Sequence, residues 1–323
     1  MKKKIFSFLL AICLIIPAMF ALTACGDKEP PHTHAYNKVS YVVENDKAYK
    51  VKTCNCEEFT KTEIQGALIA TPQNINDVIV NATDNSTIVL SAGDYGVINM
   101  HSSLENVSIL GTTVTVEKID IAGHTNANIT IDSVTFDGTA DWSGVYVGSI
   151  GLDGLTVRNC SFVNNSYVLG GGSEDDHISI INLLVENCSF DMTNMENKEG
   201  VQLSAINIWG SNGVTIKNNS FKNADYNAIQ LAGEINGAVV IEENIIDGTG
   251  SRALRLNNVN ARVKIKNNSI KNVQEGDEQV LKATSVTAEG SIIFENNTYA
   301  GNAWNPENVI APATNVVYTI DLN

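Results

Sequence analysis

Short segments in which apolar and polar residues alternate recur along most of the chain. Each begins with β-branched or other apolar residues and ends with an aromatic or aliphatic residue. The copies are ITIDSVTF (129–136), LTVRNCSF (155–162), LLVENCSF (183–190), VTIKNNSF (214–221), VVIEENII (239–246), VKIKNNSI (263–270) and IIFENNTY (292–299). Their last residues are separated by 24 to 31 positions. Such alternation predicts β-strands, and its return at a loose period predicts a solenoid of stacked repeats.

A second short strand is predicted in most of the repeats. Its copies are GVYV (144–147), YVLG (167–170), GVQL (200–203), AIQL (228–231), ALRL (253–256) and VLKA (280–283). The two-residue turns that join antiparallel hairpins are scarce here. Two or three strands per repeat, with almost no helical pattern, therefore favour a parallel β-helix over a sandwich or barrel.

Equivalent positions of a parallel stack lie about 4.8 Å apart, one rung above the next. One such position holds Val134, Cys160, Cys188, Asn219, Asn244, Asn268 and Asn297. We expect the Asn side chains to hydrogen-bond along the stack. The two cysteines are expected as buried members of the same ladder, with a disulfide between adjacent rungs as the alternative. The residues that end each copy predict a second ladder: Phe136, Phe162, Phe190, Phe221, Ile246, Ile270 and Tyr299.

A helix is predicted in front of the repeats, in TPQNINDVIVNA (71–82), with Thr71 as N-cap and Pro72 at the first position. STIVLSAGDYG (86–96) follows it. This succession resembles the entry into the right-handed β-helix of the pectate-lyase-like superfamily. The resemblance implies an all-β, right-handed parallel β-helix over residues 67–323, with the helix capping its first rung. That fold carries lyases, hydrolases, adhesins and spacers, so the resemblance leaves the activity open.

The N-terminus has the pattern of an export signal. Three lysines (2–4) precede an apolar run (5–21) and the sequence LTAC (22–25). LTAC resembles the lipobox of bacterial lipoproteins, which implies that residues 1–25 are a lipoprotein signal segment whose Cys25 is lipidated and becomes the new N-terminus. We expect an exported protein held at the outer face of the cell membrane through lipid alone. The alternative is an uncleaved anchor helix.

Residues 26–66 differ from the repeats and predict a linker followed by a small hairpin module. His32 and His34 form one pair and Cys54 and Cys56 another. Two His and two Cys are a ligand set for structural zinc. The alternative is an exposed linker whose cysteines are oxidised or free.

The charge of the chain limits its partners. It has 323 residues, with 21 Lys and Arg against 36 Asp and Glu, a formal net charge of −15. This balance argues against nucleic acid as a partner. An acidic polysaccharide would need locally basic groups or bridging calcium.

Strand alternation predicts an exposed row of side chains on the second strand of each repeat. The row consists of Tyr146, Gln202, Gln230, Arg255 and Lys282. Arg255 and Lys282 are basic on an acidic protein, so they are candidates to hold a sugar carboxylate, or for one of them to act as a base. The alternative is an ordinary solvated strand face.

Two long turns supply further candidates. The turn at 170–182 contains Asp175, Asp176 and His177, and the turn at 204–213 contains Trp209. The acidic residues could bind calcium or supply carboxylates for glycoside hydrolysis, and Trp209 could stack on a sugar. The superfamily resemblance implies calcium-binding aspartates and an Arg or Lys base in its lyases, but no contiguous lyase motif is matched here.

Three functions follow from these observations. The first is a surface-anchored lipoprotein that binds extracellular polysaccharide, with processing of the polysaccharide left open. The second is a polysaccharide lyase or glycoside hydrolase, and the third is a non-catalytic adhesion or spacer module.

Overall fold

The computed structural model describes residues 35–100, 103–121, 126–137, 144–148, 152–164, 169–171, 180–193, 203–274, 280–285, 291–303 and 318–320. Residues 36–323 form one compact unit. Within the described residues, no helix has both the length and the apolar character needed to span a membrane.

A three-stranded antiparallel sheet comes first, formed by β1 (Tyr36–Glu44), β2 (Lys47–Cys54) and β3 (Phe59–Glu63). Asn45 and Asp46 join β1 to β2 with φ of 50° and 60°. Asn and Asp adopt this left-handed conformation more readily than other side chains, which explains the tight turn.

The helix α1 (Ile75–Val80) is shorter than predicted and begins after Asn74. The backbone N–H and the hydroxyl of Thr71 both donate to Asn74 Oδ1, at 2.6 and 3.1 Å. Thr71 and Pro72 thus lie in a turn before the helix, and the predicted N-cap at Thr71 is wrong by three residues. Ile75 and Ile79 are buried against the main core.

The remaining strands form three parallel stacks, and each stack occupies one side of the coil. The first stack contains β4 (Leu68–Ala70), β5 (Thr87–Leu90), β7 (Ser108–Gly111), β9 (Ala127–Asp132), β12 (Leu152–Arg158), β15 (Ile180–Glu186), the second half of β17 (Ile206–Lys217), β20 (Val239–Glu242), β23 (Arg262–Lys266), β26 (Ser291–Glu295) and β29 (Tyr318–Ile320).

The second stack contains the first halves of β6 (Gly93–Asn99) and β8 (Val114–Asp120), then β10 (Thr135–Asp137), β13 (Ser161–Val163), β16 (Ser189–Asp191), β18 (Ser220–Ala224), β21 (Ile245–Thr249), β24 (Ser269–Val273) and β27 (Thr298–Tyr299), with β28 (Asn302–Ala303) antiparallel to β27.

The third stack contains the second halves of β6 and β8, then β11 (Val145–Gly148), β14 (Leu169–Gly171), the first half of β17, β19 (Ile229–Ile235), β22 (Leu254–Asn257) and β25 (Leu281–Thr284). Sequence-equivalent strands thus pair in parallel, and the predicted parallel β-helix is confirmed.

The predicted aromatic ladder fills the interior of the second stack. The rings of Phe136, Phe162, Phe190 and Phe221 are stacked, with successive centroids 4.6, 4.8 and 4.6 Å apart. Ile246 and Ile270 continue the ladder in the next rungs, fully buried. Like side chains one rung apart therefore give a continuous core along the axis.

The predicted Asn ladder is also confirmed, and its hydrogen bonds run in one direction. The backbone N–H and the side-chain amide of Asn219 both donate to Asn244 Oδ1, at 3.0 Å each. Asn244 donates in the same way to Asn268, and Asn268 to Asn297. Each side-chain amide also donates to a strand carbonyl of the preceding rung, as Asn244 Nδ2 does to Ile216 O at 2.9 Å. These buried polar groups are therefore satisfied by one another.

Cys160 and Cys188 occupy the ladder as buried free thiols, and the alternative of a disulfide between them is not observed. The backbone N–H of Cys188 donates to Asn219 Oδ1 at 2.9 Å. Burial raises the pKa of the Cys188 thiol, and Cys160 beside it adds to the effect. Both sulfurs are therefore small apolar members of the ladder.

Alternating charges cover the outer edge of the first stack. The residues in register are Asp132, Arg158, Glu186, Lys217, Glu242, Lys266 and Glu295. Arg158 Nε lies 2.7 Å from Asp132 Oδ2, Lys217 Nζ 3.1 Å from Glu186, and Lys266 Nζ 2.6 Å from Glu242. Every basic residue of this charge ladder thus lies between two carboxylates, which disfavours a slip of the register.

The three-stranded sheet packs on the outside of the first stack. Tyr41 and Ala48 form a small buried cluster with Val89 and Leu110 of β5 and β7. The Tyr41 hydroxyl donates to Asp132 Oδ2 at 2.8 Å. The sheet is therefore held to the coil by apolar packing around one buried carboxylate, a contact that the sequence analysis did not predict.

Candidate functional site

The third stack aligns most of the predicted row of side chains. Its outward positions, in register, are Asp120, Tyr146, Gly170, Asn207, Gln230, Arg255 and Lys282, which we call the third-stack row. Tyr146, Gln230, Arg255 and Lys282 lie on this one line, as predicted. Gly170 and Asn207 separate Tyr146 from Gln230.

Asn207 occupies the position that the sequence analysis gave to Gln202. Gln202 lies outside the described residues, and the strand at this rung begins at Ile206. The segment AINI (205–208) alternates as regularly as GVQL (200–203), so alternation alone did not distinguish them. Asn207 pairs in register with Gln230, so the segment 205–208 forms the strand of this rung.

Trp209 also lies in a strand, because β17 continues without a break from Ile206 to Lys217. The predicted long turn at 204–213 is therefore wrong. Trp209 is half-buried two residues beyond Asn207 and pairs with Ala232. Its side chain belongs to the same outward face of the third stack.

Gln230 is buried, and its predicted exposure is wrong, since only 6% of its surface is accessible. Its Nε2 donates to Asn207 Oδ1 at 3.0 Å. Its Oε1 accepts from Asn227 Nδ2 at 2.9 Å and from Arg255 Nη1 at 3.5 Å. An amide has both donors and an acceptor, so Gln230 connects its neighbours on both sides of the row.

Asn227 and Ser204 extend this network below the surface. Both are buried, each just before a strand of the third stack, Ser204 before β17 and Asn227 before β19. Asn227 Nδ2 donates to Ser204 Oγ at 3.2 Å, and Asn227 Oδ1 accepts from the backbone N–H of Arg252 at 3.3 Å. Neither residue was predicted from the sequence, although a polar residue three positions before Gln230 is visible in NAIQL.

Arg255 and Lys282 are half-buried neighbours one rung apart. Neither has a carboxylate within ion-pair distance among the residues that the structure describes. Arg255 Nε is buried without a hydrogen-bond partner there. Two adjacent cations that have no counter-ion among the described residues repel one another and create a locally positive surface.

Most other basic residues on the coil are neutralised by carboxylates. The pairs are Lys118–Asp120, Arg158–Asp132, Lys217–Glu186, Lys222–Asp191, Lys264–Glu295, Lys266–Glu242 and Lys271–Asp247. Within the described residues, Arg255 and Lys282 therefore differ from these seven paired basic residues.

Tyr146 has one ring face occupied. Lys118 Nζ lies 4.8 Å from the ring centroid and 2.7 Å from Asp120 Oδ2. The cation is thus shared between the ring and the carboxylate. This end of the third-stack row is electrically balanced, and the end with Arg255 and Lys282 is positive.

The predicted zinc ligands are not available as a set. Cys54 and Cys56 are joined in a disulfide at the turn between β2 and β3. Zinc is bound by cysteine thiolates, so the disulfide is incompatible with the predicted ligand set. His32 and His34 lie outside the described residues, and structural zinc stays a prediction for the reduced chain alone.

The predicted calcium site is not tested. Asp175, Asp176 and His177 lie outside the described residues, as does Cys25. In the part of the chain that the structure covers, no three His, Cys, Asp or Glu side chains form a group that could hold a metal ion.

One family model agrees with this architecture over part of the chain. A family model described as "right handed beta helix region" matches residues 204–311. The fold is a right-handed parallel β-helix. The β-helix is also similar to the crystal structure of the deglycosylated pectin methylesterase from Aspergillus niger, with 11% identity and a TM-score of 0.46 over 80% of this chain and 93% of that chain. No curated protein sequence matches the chain.

Proposed function

We propose that this β-helix binds extracellular polysaccharide that carries carboxylate or sulfate groups, and that the ligand lies along the third-stack row. The observation that carries the proposal is the pair Arg255 and Lys282, in register and without carboxylate partners in the described chain. A chain of −15 net charge would repel an acidic polymer unless such a local surface existed.

The row suits a polymer better than a small molecule. Equivalent side chains repeat about every 4.8 Å along the axis, so a linear chain laid on the third stack meets Asn207, Arg255 and Lys282 and passes over the buried Gln230. Arg binds carboxylates and sulfates with its planar fork, and Lys acts as a point charge. Trp209, on the same face, supplies an apolar surface for a sugar ring.

The location belongs to the same proposal. The export signal and the lipobox-like LTAC support lipidation of Cys25 and attachment to the outer face of the cell membrane. A lipid anchor would keep the row in contact with extracellular glycans.

Replacing both Arg255 and Lys282 by alanine should weaken binding to polygalacturonate about 10- to 100-fold, because two charge-assisted contacts are lost. The melting temperature should change little, since neither side chain has an ion pair in the described structure. Calorimetric titration of the chain begun after Cys25 measures the first effect, and thermal unfolding by circular dichroism measures the second.

The matched control is the double variant Lys264→Ala and Lys266→Ala, which removes the same charge from the first stack. It should bind polygalacturonate within about twofold of the unmodified chain. Equal weakening in both double variants would mean that net charge, and not the third-stack row, attracts the polymer.

A glycan panel with and without calcium separates the competing functions. Binding without new chain ends supports the proposal, whereas new unsaturated ends would identify a lyase and new reducing ends a hydrolase. Failure to bind any acidic glycan would refute the proposal and favour a spacer or adhesion module.

A further inference from the structure

Gln230 occupies a position next to a basic residue, and the equivalent position in the charge ladder of the first stack is a carboxylate. On the first stack, Lys217 lies in register between Glu186 and Glu242. On the third stack, Arg255 lies in register between Gln230 and Lys282. A carboxylate at position 230 would pair with Arg255, as the carboxylates of the first stack pair with their basic neighbours. The Gln230 amide is neutral and leaves the charge of Arg255 in place.

The orientation of the Gln230 amide is fixed by its buried partners. Asn227 is fully buried, and its Oδ1 accepts the backbone N–H of Arg252, so its Nδ2 must point toward Ser204 and Gln230. Gln230 Oε1 therefore faces Asn227 and Arg255, and its Nε2 faces Asn207. If the Gln230 amide were rotated by 180°, its Nε2 would face the N–H donors of Asn227 and Arg255, and neither hydrogen bond could form.

This orientation determines what the row offers to a ligand. Asn207 Oδ1 is engaged by Gln230, which leaves the amide hydrogens of Asn207 for other acceptors. Arg255 and Lys282 are donors only. The exposed end of the row thus presents donors and positive charge from Asn207 to Lys282, an arrangement complementary to oxyanions.

We propose that Gln230 is the specificity-determining residue of the polysaccharide site: it holds Arg255 by a neutral acceptor, so that the guanidinium charge remains for a carboxylate or sulfate ester of the glycan. The inference rests on the proposed function and deepens it. It predicts a site that selects acidic over neutral polysaccharides and in which Gln230 acts by position, without itself reaching the ligand.

The test is Q230E, assayed by titration with dextran sulfate and with polygalacturonate. At pH 7.5 a carboxylate beside Arg255 should weaken binding of dextran sulfate at least about tenfold. The introduced carboxyl becomes protonated when the pH is lowered through its pKa, which Arg255 beside it holds below the ordinary value of about 4.3, while the sulfate esters stay charged. The ratio of the two affinities, unmodified chain over Q230E, should then fall toward one. The polygalacturonate arm shows whether the natural oxyanion is a carboxylate or a sulfate ester.

A second variant covers the case in which Q230E does not fold. N207D places a carboxylate one rung away at a half-buried position, where Gln230 Nε2 can still donate to it, and should show the same pH-dependent weakening. Q230A removes the acceptor without adding charge, so its smaller loss should not depend on pH.

The outcomes distinguish the inference from the proposed function. If the unmodified chain binds neither polymer, both fail. If it binds, but the carboxylate variants bind equally well or lose affinity to the same extent at every pH, the polysaccharide site stands and the role given to Gln230 is wrong.

Discussion

Replacing Asn244 by alanine is expected to lower the free energy of unfolding by about 3 kcal/mol or more. The variant removes the acceptor for two donors of Asn219 and the donor for Asn268 Oδ1 and Ile216 O, all of them inside the coil. No water reaches these groups to replace the lost bonds, since Asn244 and its ladder neighbours are buried. Urea unfolding followed by circular dichroism measures the change.

Cys188 provides the matched control, because it occupies the same ladder position. Its sulfur lies 3.6 Å from Val157 O and 3.3 Å from Glu186 O and also interacts with the Cys160 thiol, all weak contacts compared with amide hydrogen bonds. Cys188→Ala should therefore cost only about 1 kcal/mol, for lost packing. A cost for Asn244→Ala no larger than that for Cys188→Ala would show that the amide bonds contribute little to stability.

Asp132→Asn is expected to destabilise the protein by about 3 kcal/mol at pH 7, because it leaves a buried charge pair incomplete. Asp132 is 1% exposed and accepts Tyr41 Oη and Arg158 Nε on one oxygen, and Ser133 Oγ and Asn159 Nδ2 on the other. An asparagine retains one acceptor oxygen and turns an amide group toward the remaining donors. The contact between the N-terminal sheet and the coil should loosen first.

The effect should depend on pH in a direction set by the pKa of Asp132. Burial alone would raise this pKa, but hydrogen bonds from Asn159, Ser133, Tyr41 and Arg158 outweigh burial and lower it. A lowered folded-state pKa stabilises the protein above the unfolded value of about 3.9, and the contribution is lost as the pH falls through the folded value. The stability difference between the unmodified chain and Asp132→Asn should therefore shrink below about pH 4.

Tyr41→Phe is the control for this prediction, since it removes one donor and keeps the carboxylate and Arg158. It should cost about 1 kcal/mol at neutral pH. A stability difference for Asp132→Asn that is the same at pH 7 and pH 3 would contradict the role given to the ionised carboxylate.

The sequence predicted the ladders because the repeat itself specifies them. Once the copies are aligned, a parallel stack brings Asn219, Asn244 and Asn268 into contact whatever the length of the turns between them. The same holds for Phe162, Phe190 and Phe221. Positions close to the aligned motif were therefore predictable to the residue.

Positions far from the motif were less predictable. Asn207 follows a connection whose length varies between repeats. The segments 200–203 and 205–208 both alternate, so either could be assigned to this rung from the sequence. Alternation gave the outward direction of Gln230 correctly but not its burial, which depends on Asn207, Asn227 and Arg255 around it. Tyr41 and Asp132 are 91 residues apart, and no repeat relates them.

Site-resolved lysine reactivity tests the central claim most directly, namely that the charges of the third-stack row are left for an anionic polymer. The chain is acetylated with and without saturating polygalacturonate, and each lysine is quantified by mass spectrometry. We expect Lys282 to be protected by the polymer, and Lys222 and Lys271, which are paired with aspartates on the second stack, to react equally in both samples. Unchanged reactivity of Lys282 in a sample that binds the polymer, with protection on the second stack instead, would contradict the account.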